Sequence, residues 1–328
     1  MTVSEYFKKS NHPITWPEGK RFAFTIFDDT DYATVGNVGL VYALLRDLGF
    51  RSTKSIWPLT GTAAPRISGD TCDNPEYLRW LLQLQQEGFE IAMHNAAPGT
   101  SIRQQTLEGL QRFFEYFGHY PYTLANHADN EESIYWGEDR LTGSRQMIYR
   151  TLLRLQAYLK REGNYKAVYQ GHSPDSPLFW GDYCREYVGY VRNFIFDNIN
   201  TLACCPSMPY ADPRCPFVNG WFAASDGANV ERFNHLISPK NQDRLEEEGG
   251  ACVIYTHFAS GFCSHGQVDE KFEQQMRRLA AKNGWFVPLH QLLDFIRTKN
   301  ATRTISPWEK AEMEWQWLWY KLRVGGTN

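Results

Sequence analysis

Phe22-Ala23-Phe24-Thr25-Ile26-Phe27-Asp28-Asp29 is the stretch on which the reading of this chain turns. A β-prone, largely apolar run that stops abruptly at two acids predicts a buried strand with carboxylates at its C-terminal end. Working outward, Val38 to Leu48 has helical spacing through Leu40, Val41, Leu44, Leu45 and Leu48, with Gly49 placed to stop it. Lys54 to Leu59 predicts a second strand. Pro75 to Gln86 predicts a helix, with proline in its first turn and Gly88 beyond its end. Phe89 to Met93 is a short strand that delivers His94.

The alternation continues to the far end of the chain. Thr106 to Phe117 is an amphipathic helix, and Tyr122 to Ala125 leads to Asn126-His127. Gly143 to Arg161 reads as a long helix and Val188 to Ile195 as strand-like. Ala251 to Thr256 is an apolar strand that ends at His257. A helix over Glu270 to Asn283, a strand over Phe286 to Leu289 and a helix over His290 to Thr298 follow. Tyr165 to Pro216, rich in proline, glycine and cysteine, is hard to assign. Strand and helix alternating along one chain argue for a parallel sheet wrapped by helices. With 328 residues, 42% of them hydrophobic, the chain can form one such barrel.

Composition narrows the function classes. The 34 Lys+Arg nearly balance the 37 Asp+Glu, so no basic footprint for nucleic acid is present. Met1 to Lys9 has no apolar stretch of a secretory signal, and no run approaches the roughly 20 apolar residues that span a bilayer. The seven cysteines include no CxxC pair, and Cys204 adjoins Cys205. Reduced thiols in the cytoplasm are the expectation.

Asp28-Asp29, His94, His127 and His257 each lie just beyond an expected strand. In a parallel barrel the C-terminal strand ends share one mouth, so these groups can converge from distant parts of the chain. His12, His119, His235, His265 and His290 have no such placement and read as ordinary surface or hydrogen-bonded histidines. For the acid pair, helix N-capping is the plainer alternative role.

The same positions resemble a known family. Thr25-Ile26-Phe27-Asp28-Asp29-Thr30 is similar to the TFDDG-type first motif of the polysaccharide deacetylase-like (NodB-homology) family, with one residue inserted and Thr30 where glycine is usual. Glu87-Gly88-Phe89-Glu90-Ile91-Ala92-Met93-His94 resembles the lead into its second motif, and Ile254-Tyr255-Thr256-His257-Phe258 its final histidine motif. Gly284 to Leu289, with the helix behind it, resembles its closing β/α unit. The likeness spans Trp16 to Ile296 and implies a distorted (β/α)7–8 barrel of parallel strands. Residues 1–300 would form that barrel, and residues 301–328 a C-terminal Trp-rich helical extension.

The resemblance implies metal-dependent hydrolysis of an amide. Asp29 and His94 would be metal ligands, Asp28 the general base, and His257 the acid that protonates the departing amine. Two departures stand out. Pro98 occupies the position of the usual second histidine, and the Arg-x-Pro third motif is not recognisable. His127 is expected to supply the third ligand; Asp31, water or outright loss of the metal are the alternatives. A two-histidine, one-carboxylate set suits zinc foremost, with iron, cobalt or manganese also compatible.

For substrate binding, Trp136 and Trp221-Phe222 offer flat apolar faces for a sugar, or simply core packing. Arg192 would hold an anionic group or form a surface pair. Asp226 would orient a catalytic histidine or make an Asx-turn before Gly227. Ser306-Pro307 starts a last helix that places Trp315, Trp319 and Leu322 on one face, with Met313, Trp317 and Tyr320 on an adjoining one. That helix would pack on the barrel, pair with a second subunit of a homo-oligomer, or rest weakly on a membrane surface. The leading expectation is removal of an N-acyl group, acetyl first, from an amino sugar inside the cell, whether nucleotide-linked, lipid-linked or an oligosaccharide, in surface-polysaccharide synthesis. The alternatives are a non-catalytic carbohydrate-binding or assembly protein on the same barrel, and an amidohydrolase of a non-sugar amide such as a ureide.

Overall fold

The computed structural model describes residues 14–160, 168–300 and 303–324. Its strands in chain order are β1 (Phe22–Asp28), β2 (Thr53–Ile56), β3 (Glu90–Met93), β4 (Thr123–Leu124), β5 (Tyr190–Phe196), β6 (Tyr210–Ala211), β7 (Trp221–Asp226), β8 (Ala251–Thr256), β9 (Cys263–Ser264), β10 (Gln267–Val268), β11 (Gly284–Phe286) and β12 (Arg303–Thr304). Seven of them close a parallel barrel in the order β1-β2-β3-β4-β5-β7-β8, with β8 returning to β1. The closure is uneven. β2 meets only the C-terminal end of β1, at Phe27 and Asp28, while β11 pairs with its first residues, Phe22 to Phe24. Every residue of β1 is buried, as a strand covered on both faces requires.

Local sequence accounts for most boundaries. The helix Val35–Asp47 begins three residues before Val38, the first residue of its apolar spacing, because Thr34 and Asn37 form a reciprocal capping box. Asn74 caps Pro75–Gln86, which starts and stops where proline and the following Gly88 indicate. At the N-terminal end of the barrel, buried Glu90 accepts from Thr53 Oγ1 (2.8 Å), Thr123 Oγ1 (2.6 Å) and His290 N (2.9 Å). One carboxylate thus ties β2, β3, β4 and the helix Leu289–Asn300.

Three features differ from the sequence expectation. β7 was not anticipated, because Ala223, Ala224 and Ser225 dilute its apolar signal. The helices Gly181–Tyr187, Val230–Leu236 and Pro239–Glu248 lie in stretches without a clear helical signal in the sequence. The strand expected at Phe286 to Leu289 sits at Gly284–Phe286, two residues earlier, in register with β1. The helix from Gly143 is described to Lys160, and its expected last residue, Arg161, lies outside the described residues.

The C-terminal helix Pro307–Val324 packs on β5 and on Gly143–Lys160. Trp317 lies 5.8 Å from Phe194 and 5.0 Å from Tyr149 between ring centroids, and Glu314 pairs with Arg145. Met313, Trp317 and Tyr320 are buried, whereas Trp315, Trp319 and Leu322 are exposed. No helix among the described residues is long and apolar enough to cross a membrane.

Asp28, the last residue of β1, and Asp29 just beyond it point to opposite sides, as neighbouring side chains on an extended backbone do. Asp28 turns toward the surrounding helices, where Tyr42 Oη donates to it at 3.0 Å and Lys54, its neighbour in register on β2, pairs with it at 2.9 Å. Both charges are fully buried. Asp28→Asn therefore leaves Lys54 uncompensated and should cost about 3–5 kcal/mol of stability, seen as a fall in the urea midpoint. Adding Lys54→Met should recover most of that loss. An unchanged midpoint in the single variant would remove this pair from the stabilising set.

Candidate metal and catalytic site

At the C-terminal mouth, the segments after β1, β3, β4 and β8 bring Asp31, His94, His127 and His257 together. His94 Nε2 lies 3.2 Å from Asp31 Oδ1, His127 Nε2 lies 3.7 Å from the same oxygen, and His257 Nε2 lies 3.4 Å from Asp31 Oδ2. One donor atom each from Asp31, His94 and His127 falls within 4.8 Å of the others. The ring of Trp57, just past β2, lies 6.0 Å from His94 and 5.4 Å from His127.

Each histidine is oriented through its other nitrogen. His94 Nδ1 meets Ala125 O at 2.9 Å, His257 Nδ1 meets Ala228 O at 2.8 Å, and His127 Nδ1 meets Asn130 Oδ1 at 2.7 Å. These partners are acceptors, so each Nδ1 carries the proton. In neutral rings Nε2 is then a lone-pair donor facing the mouth. His127 Nε2 and Asp31 Oδ1 are buried and have no hydrogen-bond partner. Two buried polar atoms without a partner, one nitrogen and one carboxylate oxygen, beside a second imidazole suit a cation. The set fits a divalent ion held by two imidazoles and a carboxylate, with positions left open.

The charges follow from this packing. Burial alone would raise Asp31, but His257 and His94 hold it well below the usual carboxylate range. Burial lowers His127, helped by His94 beside it. Burial also works against charge on His257, yet the hydrogen bond and charge of Asp31 outweigh it and raise His257 to about 9.

The remaining expected residues take varied positions. Both oxygens of Asp29 are held by Arg192, at 2.8 and 2.6 Å, with its Oδ2 still 3.9 Å from His94 Nε2. Burial would raise Asp29, but Arg192 keeps it below its ordinary value. Arg192 is buried over Tyr255, 4.5 Å from the ring centre, and so is already engaged with a protein carboxylate. Asp28 lies on the other face of the strand, where burial pushes it upward against Lys54, and Phe258 N donates to it at 2.8 Å. Trp136 is buried under the Arg140 guanidinium, 4.0 Å away, and Trp221 is buried in the barrel wall. Neither ring is presented as a sugar platform. Asp226 makes the Asx-turn, accepting from Ala228 N at 2.9 Å, and the carbonyl of Ala228 holds His257.

No family model matches this chain, and no curated protein does. Among solved structures, the chain is similar to a protein assigned as a polysaccharide deacetylase from Mycobacterium smegmatis, at 13% identity and a TM-score of 0.51 over 90% of this chain and 97% of that one. It is also similar to one so assigned from Pseudomonas aeruginosa, at 12% identity and a TM-score of 0.51 over 91% and 98%. The chain has the polysaccharide deacetylase (NodB-like) fold.

In the metal-free protein, NMR titration should find His257 near 9, and Asp31→Asn should return it toward the ordinary value of about 6.5. Because the folded value is raised, this pair stabilises the metal-free fold below the unfolded pKa. That contribution is lost as pH rises through about 9. An ordinary titration of His257 in the parent protein would contradict the Asp31 contact.

Proposed function

We propose that this chain is a metal-dependent hydrolase that removes an N-acyl group, acetyl first, from an amino sugar. The observation that carries the reading is the buried convergence of Asp31, His94 and His127, with donor atoms within 4.8 Å of one another, at the mouth of a deacetylase-fold barrel. Asp31, His94 and His127 would hold the ion, zinc foremost. When bound, the ion would act as a Lewis acid on the amide carbonyl.

The residues around it supply the proton transfers. We assign the general base to Asp29 rather than Asp28. Asp29 borders the cluster and is kept ionised by Arg192, whereas Asp28 faces Lys54 and the helices. Asp29 would accept a proton as water attacks the carbonyl carbon. His257, oriented by Ala228 O, would deliver a proton to the nitrogen as the C–N bond breaks, giving a carboxylic acid and an amine. A wholly buried Trp136, Trp221 and Arg192 leave sugar recognition to the loops at the mouth. The substrate would be an intracellular amino-sugar intermediate, nucleotide-linked, lipid-linked or an oligosaccharide.

Metal content and turnover on N-acetylglucosamine oligosaccharides, followed by acetate release, separate these roles. Asp31→Asn, His94→Ala and His127→Ala should each lose zinc. Asp29→Asn should keep it while kcat falls by on the order of 10²–10⁴. His257→Ala should slow amides far more than activated esters, whose leaving groups need no proton. Protein that takes up none of zinc, iron, cobalt or manganese would sink the hydrolase reading and favour a carbohydrate-binding role.

A further inference from the structure

We propose that Asn130 is the positioning residue that makes His127 a metal ligand. This rests on the metal reading above, and its evidence is a buried clamp between the segment after β3 and the loop after β4. Asn130 Nδ2 donates to Ala97 O (3.0 Å), Gly99 O (2.9 Å) and Glu132 Oε1 (2.6 Å). Ala97 and Gly99 flank Pro98 in the chain. With acceptors around its nitrogen, the Asn130 amide cannot flip, and Oδ1 must face His127 Nδ1 at 2.7 Å. The proton is thereby fixed on Nδ1 and the Nε2 lone pair is aimed at Asp31.

A second asparagine sets the backbone of the same residue. Asn95, next to His94 and in the left-handed region at φ 60°, accepts from His127 N at 2.7 Å. Its own amide donates to Glu132 Oε1 at 3.2 Å. The other Glu132 oxygen accepts from Ser101 N at 3.1 Å. Asn95, Asn130 and Glu132 are all buried, the last two completely. The segment around Pro98 therefore serves, through the carbonyls of Ala97 and Gly99, as the template that orients a ligand from the next loop. A loop staple without this role would need to satisfy the same polar groups but would have no reason to select one tautomer of His127.

Two measurements test this. Long-range ¹H–¹⁵N NMR on the metal-free parent protein at pH 8 should show His127 protonated on Nδ1. Protonation on Nε2 would overturn the proposal whatever the variants do. Calorimetric titration with zinc then compares Asn130→Ala, His127→Ala and the double variant, with folding checked by cooperative thermal melts. Asn130→Ala should weaken zinc binding by about 10- to 100-fold, as loss of an outer partner of a ligating histidine does, and should let His127 exchange between tautomers. In the His127→Ala background the same change should have no further effect. An equal loss in both backgrounds would mean that Asn130 acts on the loop generally, and the proposal would fall. If the parent protein bound no metal, the hydrolase reading would fail while the tautomer measurement still decided whether Asn130 orients His127.

Discussion

The ion pair between Asp29 and Arg192 spans the interior of the barrel from β1 to β5, and the arrangement of the mouth depends on it. Both side chains are almost wholly removed from water. A lone charge at such depth costs several kcal/mol, so each partner makes the other tolerable. The two parallel hydrogen bonds also fix the carboxylate plane, because a guanidinium presents its donors as a rigid fork. Tyr255 and Phe27 lie against the guanidinium, 4.5 and 5.3 Å from their ring centres, and keep it from moving aside. An Asp29 bound in this way is ionised and stationary, each oxygen accepting one hydrogen bond from Arg192 and keeping a second lone pair. The next carboxylate that reaches the mouth is Asp31, and it is Asp31 that faces all three histidines.

Those histidines are held by different means. His94 and His257 lean on backbone carbonyls, which the barrel itself positions. His127 leans on a side chain, and that side chain leans in turn on a buried glutamate. Burial raises Glu132 to about 7, against the donors from Asn130, Ser101 and Asn95 that favour its charge. A loop of this kind needs internal polar partners, because a buried backbone without them loses the hydrogen bonds that water would have supplied. The cost of placing a histidine there is therefore met by several polar residues close in sequence.

Much of this was legible in the sequence. Apolar runs that end in Asp, His, His and His marked β1, β3, β4 and β8, and the shared mouth followed from parallel topology. The identities within the acidic cluster were harder, because the order Asp28-Asp29-Thr30-Asp31 contains two readings. A motif places function on the adjacent pair, whereas the pleat puts Asp28 and Asp29 on opposite faces and makes the spacing Asp29-x-Asp31 the informative one. Arg192 could not be read as Asp29's partner, since 163 positions separate them. For Trp136 and Trp221 the choice between sugar platform and core packing stayed open, because sequence gives ring identity without burial. β7 was hidden by its small residues, which suit a strand packed between β5 and β8 but carry little apolar weight.

The C-terminal helix shows how support for a site can come from far along the chain. Its buried face includes Tyr320, whose hydroxyl donates to Asp226, and Arg232 donates to the same carboxylate at 2.8 Å. Asp226 closes the turn through Ala228 N, and the carbonyl of Ala228 fixes the proton of His257 on Nδ1. A displacement of the helix would thus reach His257 through one carboxylate and one peptide unit, without any direct contact. The exposed rings of Trp315 and Trp319 take no part in this link; they lie on the opposite side of a helix whose inner face is already committed to β5 and to the turn beneath His257.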